Sequence, residues 1–274
     1  MNNFIKCELE KHKDSKYAEF STRLTPTKYK IMGVKIPMLR DIAKRFCKHY
    51  KNDILRYLQN PLVGNFEEIM IYGMIIGNLA VKNDEILPSP ASEIPPNATL
   101  GGKILKAKIP QNEILQNEIP KNKILVSKSE IESYIIKFMP YIDNWAICDV
   151  FSMGLKNLAK QNNAFDFILK LLHKNAEFEV RFALVALNSH FVNDKYITRI
   201  LELAPTIRHD GYYVKMALAW LISTCYIKFS DKTMPLFKNR SLDKWTHNKA
   251  ISKISDSLRV GNSDKIMLKN MRIK

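Results

Sequence analysis

Pro140-Tyr141-Ile142-Asp143-Asn144-Trp145-Ala146-Ile147-Cys148-Asp149-Val150-Phe151 reads as the start of a helix. The proline ends whatever helix precedes it, Asp143 is a good N-cap, and the helix begins at about Asn144. At about 100° per residue, Ile147, Val150, Phe151 and Gly154 share one side, turned to a core. Trp145, Asp149 and Ser152, spaced i, i+4, i+7, fall on the opposite side. A tryptophan and a carboxylate therefore stand one turn apart, off the main apolar stripe. Packing explains this if the ring fills the neighbouring repeat and Asp149 caps or salt-bridges nearby. A positively charged ligand explains it too, because an aromatic face attracts cations and the carboxylate supplies full negative charge.

Outward from this stretch the chain repeats the same kind of element. Amphipathic helices are expected over 4–20, 38–50, 51–59, 65–81, 129–139, 144–160, 163–175, 177–192, 194–203, 210–226, 231–238, 242–257 and 262–270. The links are short and carry stop or cap signals such as Asn60-Pro61, Asn162-Asn163 and Asp210-Gly211. Pairs of such helices recurring at about 35–45 residues suggest an all-α, HEAT-like repeat solenoid, superhelical with a concave face. A compact helical bundle fits the same periodicity. One segment departs from it. Residues 85–128 carry no aromatic residue and contain prolines at 88, 90, 95, 96, 110 and 120. Within it a pentad recurs: Gln111-Asn112-Glu113-Ile114-Leu115, Gln116-Asn117-Glu118-Ile119-Pro120, Lys121-Asn122-Lys123-Ile124-Leu125. It reads as a low-complexity insertion, mobile or loosely packed, dividing one helical domain into 1–84 and 129–274.

Composition bounds the function. The 274 residues are 46% apolar with nine glycines, enough for a real core and poor in the glycine a loop-rich all-β fold uses. Forty-three Lys and Arg against 27 Asp and Glu leave a formal charge of +16. Such an excess favours a polyanionic partner, since each neutralised phosphate releases counterions; a generally lysine-rich composition accounts for it as well. From Lys228 to Lys274 the chain has twelve basic and four acidic residues. Cys7, Cys47, Cys148 and Cys225 lie far apart without metal-ligand spacing, so neither zinc nor a disulfide framework is expected. The N-terminus lacks a long apolar region, and no apolar run approaches the roughly 18 residues that span a bilayer. A cytoplasmic, soluble protein with no membrane role is expected.

Three further places are candidates. Arg181 is the sole cation of Val180-Arg181-Phe182-Ala183-Leu184-Val185-Ala186-Leu187, and a buried arginine is costly unless paired. It therefore either forms a structural salt bridge or faces a phosphate. Trp220, in Met216-Ala217-Leu218-Ala219-Trp220-Leu221-Ile222, is a core residue by pattern alone. In the C-terminal helix Lys249, Lys253 and Asp256 fall near one stripe, and Ile251, Ile254 and Leu258 on another. That basic stripe is a phosphate-contacting face or a solvated lysine face. The six histidines show no ligand spacing, and there is no helix-hairpin-helix, Walker or Rossmann signature.

The Asp143–Asp149 segment resembles the Trp-xxx-Asp helix of the AlkD-type DNA alkylation-repair glycosylases. Four other pieces resemble that family in its order. They are Gly33-Val34-Lys35-Ile36-Pro37-Met38-Leu39-Arg40, Phe66-Glu67-Glu68 with Tyr72-Gly73, Val180-Arg181-Phe182-Ala183, and Lys215-Met216-Ala217-Leu218-Ala219-Trp220. The resemblance covers nearly the whole chain outside 85–128. It implies a concave HEAT-like surface holding duplex DNA and a monomer excising cationic N3- or N7-alkylated purines with no metal or cofactor. It also implies action without a base-extrusion pocket. Asp149 matches the catalytic carboxylate, Trp145 and Trp220 the aromatic residues against the lesion's backbone and sugar, and Arg181 the phosphate-holding cation. Lys215, Lys249 and Lys253 are further DNA-contact candidates. The family's N-terminal tyrosine has no counterpart in matching context; Tyr29, in Thr27-Lys28-Tyr29, is spaced differently. The competing expectations are a non-catalytic HEAT-like module that binds damaged or branched DNA, and a protein-interaction solenoid.

Overall fold

Helix starts in this chain are set by short polar side chains that take up the first free amides. The Glu68 amide donates to the Asn65 side chain (2.9 Å) and the Asn65 amide donates back to the Glu68 carboxylate (3.3 Å). Ser127 and Glu130 form the same reciprocal pair (3.2 and 2.7 Å). Each such cap is worth about 1 kcal/mol.

The computed structural model describes residues 1–61, 63–82 and 124–274. In chain order the helices are α1 (Asn2–His12), α2 (Ser15–Leu24), α3 (Ile36–His49), α4 (Ile54–Gln59), α5 (Phe66–Asn78), α6 (Lys128–Phe138), α7 (Trp145–Gly154), α8 (Lys156–Ala159), α9 (Ala164–Leu171), α10 (Glu177–Ala186), α11 (Ile197–Leu203), α12 (Tyr212–Lys228), α13 (Ser230–Lys238), α14 (Lys244–Ser255) and α15 (Asn262–Asn270). The helices α1, α3, α5, α7, α10, α12, α14 and α15 pack each on the next. Beside this row α6, α9 and α13 pack on α5, α10 and α12. The result is an all-α, solenoid-like fold.

Apolar residues at helical spacing bind the row together. Buried rings run from α4 to α10, with centroids 6.4 Å apart for Tyr57–Tyr72, 5.2 Å for Tyr72–Phe138, 4.1 Å for Phe138–Phe151 and 5.4 Å for Phe151–Phe182. These separations suit edge and tilted ring packing. Where α5 meets α7 the backbones come close: a Cβ on Gly77 would lie 3.0 Å from the Gly154 carbonyl oxygen. The loop between α2 and α3 is held from below by Glu67, whose buried carboxylate accepts from the amides of Met32 (2.9 Å), Gly33 (2.7 Å) and Val34 (3.2 Å). Gly33 has φ +90°, and any side chain there would collide with the Asp14 carbonyl oxygen.

Several boundaries differ from the sequence reading. The expected helix over 4–20 is two helices, because Asp14 caps a new one by accepting from the Tyr17 amide (3.0 Å). The expected 144–160 helix divides at Leu155, and that over 177–192 ends in a π-helical turn, Leu187–Phe191. The 65–81 helix stops at Asn78, after which β1 (Ala80–Val81) pairs in parallel with β2 (Leu125–Val126). Residues 85–123 of the segment read as an insertion lie outside the described residues. Its last five, 124–128, are described and form β2, the Ser127 cap and the first residue of α6. Among the described residues no helix is long and apolar enough to cross a membrane.

Candidate active site

The start of α7 is set by Asn144 and not by Asp143. The Asn144 side chain accepts from the amides of Ala146 (2.9 Å) and Ile147 (3.0 Å). Asp143 instead accepts from the Thr27 hydroxyl (2.8 Å), the Lys28 amide (2.7 Å) and the Asn144 side-chain amide (2.6 Å). Both residues can cap; the neighbouring loop takes Asp143, and the cap shifts by one. This tie fixes the loop after α2 against the first turn of α7. A second bond does the same, from the Trp145 indole N–H to the Leu24 carbonyl at the end of α2 (3.2 Å).

One turn along α7 stands Asp149. Its two oxygens accept from Arg181 Nε (2.9 Å) and Nη2 (2.8 Å) on α10, a parallel two-bond geometry that suits the planar guanidinium. Arg181 Nη1 donates to the Tyr213 carbonyl at the start of α12 (2.9 Å). Arg181 is only 4% exposed, so its pairing answers the cost of burying a charge. The Asp149 side chain keeps 14% of its surface open. Burial raises the Asp149 carboxyl above the usual carboxylate range, with Arg181, and more weakly Lys253, pulling the other way. Lys253 reaches the same neighbourhood from α14. Burial depresses its ammonium pKa, and the charges of Lys249 and Arg181 add to this, against Asp256 and Asp149.

Asp149 lines a cleft of about 470 Å³. Its other walls include Tyr17 and Phe20 from α2, Met70 from α5, Trp145 and Met153 from α7, and Trp220 from α12. The carboxylate thus faces a largely apolar, aromatic space, where its attraction for positive charge is weakly screened. No pocket motif in the sequence announces this cleft, because five separate chain segments supply its walls.

Of the candidate residues, Trp145, Asp149 and Trp220 share the cleft, and Arg181 holds the acid from behind. Lys253 lies within their electrostatic reach. Lys249 is half-buried one turn before it on α14. Lys215 stands elsewhere: it pairs with Asp210 (3.7 Å) beside a separate hollow of about 230 Å³ that also includes Arg208 and Asp243. Ser152, expected beside Asp149, is buried, and its hydroxyl donates to the Cys148 carbonyl (2.7 Å). Gly154, expected toward the core, is exposed. Helix α7 is covered by α5 on one flank and α10 on the other, so only a narrow strip faces the cleft. Leu258, expected on the apolar stripe of the last long helix, lies past the end of α14 and is exposed.

Tyr17 and Phe20 escaped the sequence reading. Once α2 is known to restart at Asp14, Tyr17, Phe20 and Leu24 form an i, i+3, i+7 apolar stripe in an otherwise polar helix. That stripe was the available signal. The thiols of Cys47, Cys148 and Cys225 are poor nucleophile candidates: burial pushes Cys47 up to about 11 and Cys225 up to about 12, and raises Cys148 as well. Among the described residues no group of three or more His, Cys, Asp or Glu side chains is arranged to hold a metal.

A family profile described as DNA alkylation repair enzyme matches residues 117–254. No curated protein and no solved structure matches the chain. The matched region runs through α6 to nearly the end of α14 and contains Trp145, Asp149, Arg181, Trp220 and Lys253. The chain belongs to the DNA alkylation repair enzyme family, with a role in DNA repair and DNA as its substrate.

Proposed function

We propose that the protein is a monomeric DNA glycosylase that hydrolyses the N-glycosidic bond of cationic N3- or N7-alkylated purines in duplex DNA. The observation that carries this reading is the partly open Asp149 carboxylate in an aromatic cleft that Trp145 and Trp220 also line. Alkylation places a positive charge on the purine. As the C1′–N bond breaks, its electron pair returns to the base and the positive charge passes to the sugar. Asp149 stabilises that charge and accepts a proton from the water that adds to C1′. The indoles of Trp145 and Trp220 favour the cationic sugar by about 0.5–2 kcal/mol each. The departing base is activated by its own charge, so the chemistry calls for no metal or cofactor. Arg181 acts through Asp149 by holding both oxygens in place. In this reading the protein works as a monomer in the cytoplasm on DNA held against the HEAT-like row.

Lys249 and Lys253 extend the site along α14. On its other side a hollow of about 520 Å³ shares Val150 and Met153 with the cleft and is bordered by Arg40, Lys44 and Lys156. Basic groups on both sides suit a phosphate backbone crossing Asp149. Replacing Lys249 or Lys253 by Gln weakens binding to all sequences alike and reduces the slope of log K against log salt by about one each. A fluorescence-anisotropy salt series measures this; an unchanged slope removes the residue from the DNA contact.

A second reading has its own observation. Arg181 already engages both Asp149 oxygens, as a purely structural ion pair does. On that reading the chain is a non-catalytic module for damaged or branched DNA. Release of 7-methylguanine or 3-methyladenine from alkylated duplex DNA decides between them. Time-dependent release by the wild-type chain supports the glycosylase; salt-sensitive binding without release supports the binding module.

A further inference from the structure

Among the described residues, the most exposed large aromatic side chains are Phe20, Trp145, Tyr212 and Trp245. The first two line the cleft. Tyr212 and Trp245, 55% and 38% exposed, lie outside it and have no part in the chemistry proposed above. They touch each other across two helices, with ring centroids 5.8 Å apart at 70°. An edge-on pair at the surface leaves ring face open to a third flat π system.

Both rings are held firmly. Tyr212 opens α12, and its neighbour Tyr213 is fixed through both backbone groups. The Tyr213 amide donates to Glu177 (2.6 Å) and its carbonyl accepts from Arg181, the arginine that grips Asp149. The Tyr213 ring packs at 5.4 Å on Phe178. Trp245 sits in the first turn of α14, where the Asp243 cap accepts from the Thr246 amide (3.0 Å). Trp245, Lys249 and Lys253 recur every four residues, so they lie along one stripe of α14 about 12 Å long. That stripe leads from the exposed ring pair to the amine that senses Asp149. Lys244 and Lys249 flank the pair with positive charge. Exposed rings set among lysines are what a strand with an unstacked base requires: the rings take the base face and the ammonium groups take the phosphates.

We infer that Tyr212 and Trp245 form a stacking platform for a nucleobase displaced from the duplex, about 12 Å along α14 from Lys253. The platform rests on the DNA-binding reading and deepens it. It favours alkylated DNA that is locally unpaired or branched over uninterrupted duplex. Every base has a π face, so the preference is for an unstacked base of any identity.

The test uses the full chain and two duplexes of one sequence, fully paired or carrying a single bulged 2-aminopurine. Wild type is expected to bind the bulged duplex about tenfold more tightly and to quench its 2-aminopurine fluorescence. Trp245→Ala and Tyr212→Ala lose most of that preference, Trp245→Phe keeps most of it, and Leu258→Ala, at an exposed site elsewhere, keeps all of it. Equal wild-type affinity for the two duplexes overturns the platform, as does a preference that survives both alanine variants. Either result leaves base release from paired alkylated DNA untouched, so it counts against the platform alone. Failure of the wild-type chain to bind either duplex overturns the DNA reading itself.

Discussion

Asp149→Asn is expected to fold, to bind alkylated duplex DNA, and to release bases at least about 10²-fold more slowly than the wild type. The substitution removes the negative charge and the proton acceptor while changing almost no volume. The Asn carbonyl still accepts one Arg181 bond, and Arg181 Nη1 keeps the Tyr213 carbonyl, so the buried guanidinium is not left alone. Asp149→Ala is the informative contrast. It deletes both acceptors in front of a 4%-exposed arginine and is expected to lower stability by about 3–5 kcal/mol. Urea unfolding separates the two variants, and release of labelled methylpurine bases measures the chemistry. Wild-type release by the Asn variant would show that the carboxylate is structural only.

Arg181→Met carries the second large effect, and its signature is pH dependence. With the guanidinium gone, burial acts on Asp149 without its main opposing influence, and the carboxyl pKa rises beyond its already raised position. A raised native pKa gives stability that is complete below the unfolded pKa and is lost as pH rises through the native one. The variant is therefore expected to be about 3–5 kcal/mol less stable than wild type near neutral pH. That deficit shrinks as pH falls through the raised native pKa toward the unfolded one, because the buried acid takes up a proton. The acidic limb of base release should move to higher pH, because the reaction needs the ionised acid. Urea unfolding at two pH values and a rate–pH profile test both statements; a deficit that does not change with pH sinks the account. The double variant Asp149→Leu with Arg181→Met should regain most of the stability and none of the activity. Recovery of that kind would indicate that the ion pair is kept for what the acid does and contributes little net to folding.

The two substitutions also divide what was readable beforehand from what was not. The one-turn spacing of Trp145 and Asp149 follows from helical periodicity, and so does their common departure from the apolar stripe. A lone arginine in an apolar helix had to be paired or to face an anion, and Arg181 was legible to that extent. Its partner was not. Asp149 lies 32 residues earlier on another helix, and the sequence offered a phosphate as an equal choice. Ser152 and Gly154 were placed on the wrong sides for a related reason: α7 is covered from two directions, and a single stripe cannot describe a helix with two buried flanks. The cap moved from Asp143 to Asn144 because Thr27 and Lys28, more than 110 residues away in the chain, engage Asp143. Tyr17 and Phe20 were hidden behind a helix break that Asp14 signalled and the apolar pattern masked.

By itself the amino-acid order determined that the chain is built of successive helices, roughly where most of them lie, and that Trp145 stands a turn from Asp149. These depend on hydrogen bonds and side-chain spacing within one or two turns. Only the folded chain decided that Arg181 grips Asp149, that Trp220 joins Trp145 in lining the cleft, and that Lys253 comes within electrostatic reach of the acid while Lys215 pairs elsewhere. Each of those facts requires two helices distant in sequence to pack at one angle and depth, and that choice is made by the summed burial of many apolar side chains, which local periodicity cannot reveal.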